Sequence, residues 1–153
     1  MPENDEFDDL IQEIEGKIQK DESEIYTERT REEAYNPKNV GVLKEPSAVG
    51  RIRGPCGDTV QIHLRIEGDT ISDCKFMTDG CGPSIACGSV VTELVKAKTV
   101  EEAEKLTPED ILTVLGDLPE DNLHCPVLAM NTLKAALEDY RNTRSFRNQS
   151  ISE

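Results

Sequence analysis

The thiol groups are the main candidates for chemistry in this sequence. Its five cysteines are Cys56, Cys74, Cys81, Cys87 and Cys125. None of them forms a C-x-x-C pair, which removes the usual signature of thioredoxin-type redox chemistry and of zinc knuckles. The number is odd and no export signal is recognisable, so a disulfide framework is the least favoured use of these thiols.

Three of these cysteines share a loop setting. Cys56 lies in "GPCGD" and Cys81 in "DGCGP", and such glycine turns let the backbone come close to a bound group. Cys125 lies in "LHCP", directly before a proline that suits the first turn of a helix. We therefore expect Cys125 at a helix N-terminus, where the exposed N–H groups lower the pKa of a thiol. Asp58 and His124 add a carboxylate and an imidazole to the set.

This donor set has three interpretations. Thiolates are the standard ligands of iron–sulfur clusters, and a harder Asp or His ligand holds a cluster less firmly than a fourth Cys does. A structural zinc site needs only four ligands, fewer than the five candidates here. A cysteine-dependent hydrolase or transferase would pair Cys125 with His124, although adjacent side chains are expected to point apart.

The other two cysteines fall on apolar faces of predicted elements. Residues 59–67 alternate apolar and polar side chains, Gly68-Asp69 suits a hairpin turn, and 70–78 returns as a second strand. Cys74 shares a face with Phe76 on that second strand, which indicates a core position. Residues 49–53 supply a third strand.

The sequence after Pro83 has helical periodicity. Cys87 lies on the apolar face of this helix and is predicted to be buried. Short helices are expected after Thr99 and Thr107, and a last helix from Pro126 to about Asn142. Residues 36–50 are interpreted as extended linker. His63, on the polar face of its strand, is interpreted as a surface imidazole.

Charge divides the chain unevenly. Residues 1–33 hold thirteen acidic against four basic residues, within a total net charge of −14. We expect an acidic, helical arm over 1–35, one domain over 36–142 and a flexible tail over 143–153. Within the arm, helical spacing of apolar side chains predicts a short helix over 7–18, with the stripe Phe7, Leu10, Ile11, Ile14 and Ile18. The charge argues against nucleic-acid and anionic-membrane partners, and no apolar run is long enough to span a bilayer, so we expect a cytoplasmic protein.

Four short motifs give the chain a family resemblance. "NPKNVG", "CGD", "GCG" and "LHC" occur in this order between residues 36 and 125. The chain from about residue 36 to 140 resembles the iron–sulfur cluster assembly scaffolds of the IscU/NifU type. The resemblance implies an α+β fold, with a three-stranded antiparallel sheet and helices on one face, to which this chain adds its acidic N-terminal helix.

The resemblance also implies a role in sulfur and iron transfer rather than enzymatic catalysis. Cys125 would accept sulfur as a persulfide from a pyridoxal-phosphate cysteine desulfurase, and a ferredoxin-like donor would supply electrons. The cluster, [2Fe–2S] or alternatively [4Fe–4S], would pass to apo iron–sulfur proteins, and zinc is able to occupy the same site. A homodimer is a further implied state. Asn122 stands where many members have a lysine. The implied metal ligands are Cys56, Asp58, Cys81, His124 and Cys125.

Overall fold

A computed structural model describes residues 9–13, 25–55 and 57–151, with the backbone alone for 144–151. Its strands are β1 (Ala48–Arg53), β2 (Thr59–Glu67) and β3 (Thr70–Thr78). Its named helices are α1 (Glu28–Tyr35), α2 (Gly82–Val95), α3 (Val100–Glu104), α4 (Pro108–Leu115) and α5 (His124–Ile151), and a 3-10 turn covers Glu120–Asn122.

The three strands form an antiparallel sheet in the order β1-β2-β3. Apolar side chains at alternate positions of β2 are buried, and β3 buries Cys74 and Phe76 on the same face. Gly68 takes φ 64° in the turn between β2 and β3, a left-handed conformation that glycine adopts without strain. The predicted strands and hairpin are confirmed.

Helices cover the apolar face of this sheet. α2 contacts β3, while α5 contacts β1 and β2. Two glycines permit this close packing: a Cβ at Gly50 would lie 2.3 Å from the carbonyl oxygen of Thr132, and one at Gly88 would lie 2.4 Å from the ring of Phe76. The α+β fold with helices on one face of the sheet is confirmed.

The segment before β1 is packed rather than a free linker. Val40 forms a parallel bridge with Phe76 at the edge of β3, and the chain then crosses β2 to reach β1 on the far side. On the way the amide N–H of Leu43 donates to Nδ1 of His63 over 3.3 Å. His63 is consequently 7% exposed, so its interpretation as a surface imidazole is wrong. Periodicity within β2 gave no information about a segment twenty residues away.

α1 lies within the stretch that the sequence assigned to the acidic arm, and it packs on α2. The hydroxyl of Thr27 caps this helix by accepting from the amide of Thr30. Glu33 is 1% exposed and bonds to Ser89 of α2 and to Arg29. Of the helix predicted around residues 7–18, residues 9–13 are helical with exposed Leu10 and Ile11, and Phe7, Ile14 and Ile18 lie outside the described residues.

α5 is longer than the sequence predicted. It begins at His124 and ends at Ile151, so the expected start at Pro126 and end near Asn142 are both wrong. No helix in the described part of the chain combines the length and apolar character needed to cross a membrane.

Candidate functional site

Cys81 stands at the N-cap of α2, where the chain leaves β3. Its backbone is extended, with φ −79° and ψ −178°, and Pro83 follows in the first turn. The carbonyl of Cys81 accepts the first helical hydrogen bond, from Ile85 over 3.0 Å. Its thiol makes no cap bond and is exposed. The sulfur is therefore accessible at a fixed backbone position.

Asp58 approaches Cys81 from the tight loop between β1 and β2. In this loop the amide of Gly54 donates to the carbonyl of Asp58 over 2.7 Å, and Gly57 has a positive φ of 88°. A Cβ at Gly80 would lie 3.0 Å from Oδ2 of Asp58. Glycine at position 80 thus lets the Asp58 carboxylate reach the beginning of α2.

Cys125 and His124 occupy the first turn of α5. Sγ of Cys125 lies 3.6 Å from Nε2 of His124, so the expectation that these neighbouring side chains point apart is wrong. The imidazole folds back on the thiol within the same helical turn. Cys125 is 2% exposed, whereas His124 is half-buried.

The hydroxyl of Ser84 joins these segments. Ser84 Oγ lies 3.5 Å from Oδ2 of Asp58 and 3.5 Å from Sγ of Cys125. The same oxygen lies 3.8 Å from Sγ of Cys81. Sequence positions 58, 81 and 125 therefore meet around one side chain. The chemistry of the donors, two thiols with a carboxylate and an imidazole, suits iron and sulfide.

Burial controls the acid–base character of Cys125. It raises the pKa of this thiol to about 11, and the Ser84 hydroxyl and nearby Cys81 act in opposite directions with smaller effect. The prediction of a lowered Cys125 pKa at the helix N-terminus is wrong for this structure. The loss of water around the sulfur outweighs the favourable helix dipole.

The predicted ligands do not yet surround a single point. Among the residues that the structure describes, no three His, Cys, Asp or Glu side chains are grouped as ligands of one metal ion. Cys56 lies outside those residues. The described donors are instead spread around Ser84, which occupies the centre of the group.

Cys74 and Cys87 lie in the core, as their periodicity predicted. Both are 0% exposed, and burial raises the pKa of Cys74 to about 12 and that of Cys87 well above its usual value. Ser84 is the site residue that sequence reasoning missed. Its position three residues after Cys81, in the first turn of a predicted helix, was the only available signal.

Comparison with known proteins gives consistent matches to this domain. The model of the "NifU-like N terminal domain" family matches residues 25–147. The protein named iron-sulfur cluster assembly scaffold protein IscU 1, from Archaeoglobus fulgidus, is 38% identical over 117 residues, which are 76% of each chain. The scaffold protein IscU of Aquifex aeolicus is 42% identical over 118 residues, 75% of each chain.

A solved structure shares the fold. The N-terminal part of a NifU-like protein from Brucella abortus superposes with a TM-score of 0.63 at 22% identity, covering 77% of this chain and 95% of that one. Its sheet and helices agree with the α+β architecture described above.

Proposed function

This chain belongs to the family of NifU-like N-terminal domains, and from that premise we propose that it is a scaffold for iron–sulfur clusters. An iron–sulfur cluster is assembled on it and then passed to apo-proteins. The convergence of Asp58, Cys81 and Cys125 around Ser84 is the observation that carries the proposal. The zinc-protein and hydrolase alternatives have no comparable support among the relatives.

The proposed ligands combine firm and weak donors. Cys81 and Cys125, with Cys56, supply thiolates, while Asp58 supplies a harder oxygen and His124 an imidazole. A carboxylate oxygen binds iron of a cluster less firmly than a fourth thiolate does. A cluster held in this way leaves more readily, which suits a carrier that does no chemistry on a further substrate.

Cys125 is the proposed sulfur acceptor. Its thiolate attacks the outer sulfur of a persulfide on a pyridoxal-phosphate cysteine desulfurase, the S–S bond there breaks, and the desulfurase thiolate leaves. Two electrons from a ferredoxin-like donor then reduce the new S–S bond on Cys125. Sulfide is released to iron and the Cys125 thiolate is regenerated.

Sulfur delivery requires a local movement. Cys125 is 2% exposed, and an attacking sulfur needs a clear path to its partner. The turn Glu120–Asn122 and Leu123 directly precede α5 in the chain, and Leu123 is already 40% exposed. We propose that movement of this turn uncovers Cys125.

The remaining features of the proposal follow from the family. We expect a [2Fe–2S] cluster, with [4Fe–4S] as the alternative product, and zinc able to compete for the same ligands. Partners are the desulfurase, the electron donor, apo iron–sulfur proteins and a second copy in a homodimer. A cytoplasmic location is part of the same proposal.

Anaerobic reconstitution tests this assignment. Ferrous iron, cysteine and a cysteine desulfurase are added to the wild type and to Cys56→Ser, Cys81→Ser, Cys125→Ser and Cys87→Ala. Visible absorption and Mössbauer spectra should show a cluster in the wild type and in Cys87→Ala, and little or none in the other three. A wild type that binds zinc but builds no cluster would refute the proposal.

A further inference from the structure

Ser84 occupies the centre of the site, although the assignment of ligands gives it no role. It is 3% exposed in the first turn of α2. Its three polar neighbours come from separate parts of the chain: the β1–β2 loop, the N-cap of α2 and the first turn of α5. A hydroxyl is an uncommon choice for such a buried position unless its bonds are used.

We propose that Ser84 is a positioning residue of the cluster site, whose hydroxyl holds the Cys81 and Cys125 sulfurs together and donates a hydrogen bond to a ligating sulfur. The proposal rests on the scaffold function and deepens it. It assigns to α2 a second contribution to the site besides Cys81.

The chemistry of the hydroxyl supports this role. Ser84 has one proton to donate and two lone pairs, and its proton can rotate among its neighbours. The Asp58 carboxylate only accepts, at an O–O distance of 3.5 Å that is long for such a bond. Cys125 Sγ at 3.5 Å lies within the normal range for sulfur. When a thiolate replaces the thiol, the proton of Ser84 has a stronger acceptor in sulfur.

The backbone around Ser84 leaves space for its hydroxyl. Ser84 is fixed by the helical backbone, and a Cβ at Gly80 would lie only 2.8 Å from its Oγ. The absence of a side chain at position 80 leaves room for the hydroxyl to face Asp58 and the two sulfurs. A hydroxyl that hydrogen-bonds to metal-ligating side chains orients them and tunes their affinity for the metal.

Anaerobic titration with cobalt(II) chloride tests the role of Ser84 without requiring a cluster. Thiolate–cobalt binding gives a charge-transfer band whose energy reports the electron density on sulfur. In Ser84→Ala we expect about tenfold weaker cobalt binding. We also expect the band to move to lower energy, because a sulfur that loses a donated hydrogen bond gives up its electrons more easily.

Two further variants distinguish positioning from general stability. Ser84→Thr keeps the hydroxyl and should restore both the affinity and the band. Ser89→Ala is the matched control, since Ser89 is also buried on α2 but bonds to Glu33 and to the amide of Lys38, away from the sulfurs. It should behave as the wild type.

The proposal is overturned if Ser84→Ala gives the wild-type affinity and band, if Ser84→Thr fails to restore them, or if Ser89→Ala loses as much. Absence of any thiolate band in the wild type would also overturn it. Formation of a cluster on the wild type is measured in a separate experiment, the anaerobic reconstitution described above. A failure of Ser84's role is thereby distinguished from a failure of the scaffold function.

Discussion

The two described site thiols differ in the exposure of their sulfur atoms. Cys81 is exposed, whereas Cys125 is 2% exposed and its pKa is raised to about 11 by burial. The thiolate is the reactive form, so below pH 11 most Cys125 thiols are protonated as well as shielded. A thiol-reactive reagent should therefore react with Cys81 first.

Alkylation of chelator-treated protein by iodoacetamide at pH 8 should show this order. We expect Cys81 to react at least about tenfold faster than Cys125, with Cys125 gaining rate as the pH rises toward 11. Peptide mass spectrometry measures each rate. Cys74 and Cys87, both buried, are internal controls and should stay unmodified until denaturant is added. Equal rates at Cys81 and Cys125 would show that the Cys125 sulfur is already open.

Single residues also show where sequence reasoning stops. The loop thiols could be selected from glycine and proline neighbours, because those neighbours are local in sequence. Ser84 could not, since its importance arises from contacts 26 and 41 residues away. The Cys125 pKa was predicted in the wrong direction because burial depends on how α5 packs, which no local pattern reveals.

At the scale of elements, β1 and α5 depend on one close approach. The amide backbone of α5 passes so near Gly50 that a Cβ there would lie 2.3 Å from the Thr132 carbonyl and 2.6 Å from the Ala136 amide. Backbone atoms cannot move aside as a flexible side chain can. The absence of a side chain at Gly50 therefore lets the helix that carries Cys125 pack directly against the sheet.

Gly50→Ala tests this contact. We expect it to lower the free energy of unfolding by about 3 kcal/mol, because β1 and α5 must separate. Gly68→Ala is the control: its Cβ meets nothing within 4 Å, so only the positive φ of 64° costs energy, about 1 kcal/mol. Urea unfolding followed by circular dichroism measures both. Equal losses in the two variants would contradict the close approach.

The elements themselves were well predicted where their signal was local. Alternation over 59–67, the Gly68 turn and the capping box at Thr99 all appear in the structure. The segment at 38–47 was misinterpreted because its partners, Phe76 and His63, lie far along the chain. A polar composition rich in turn-forming residues occurs both in linkers and in segments that pack across a sheet. Composition alone therefore could not distinguish the two.

At the scale of the whole molecule, the N-terminal region is joined to the domain through α1. Glu33 bonds to Ser89, and the Thr27 hydroxyl donates to the carbonyl of Leu115. Tyr26 donates to the side chain of Asn122 over 3.2 Å, within the turn that leads to Cys125. These contacts show that residues 26–35 are part of the packed domain. The family match, over residues 25–147, includes them as well.

Two truncations test the predicted boundary between the acidic arm and the domain at residue 35. Removal of residues 1–24 should leave the Tm unchanged, since the contacts of α1 remain. Removal of 1–35 should lower the Tm by about 5 °C or more, because Ser89 and its neighbours lose buried partners. Thermal unfolding by circular dichroism measures both. Equal Tm values would instead support a domain that starts at residue 36.

The central claim is that the chain carries a cluster in order to release it. Its most direct test is incubation of the reconstituted protein with an apo-ferredoxin and an iron chelator, followed by the ferredoxin's own circular dichroism in the visible range. We expect near-stoichiometric appearance of holo-ferredoxin despite the chelator, because an intact cluster passes between the proteins. A cluster that stays on this chain, or transfer that the chelator abolishes, would contradict the scaffold function.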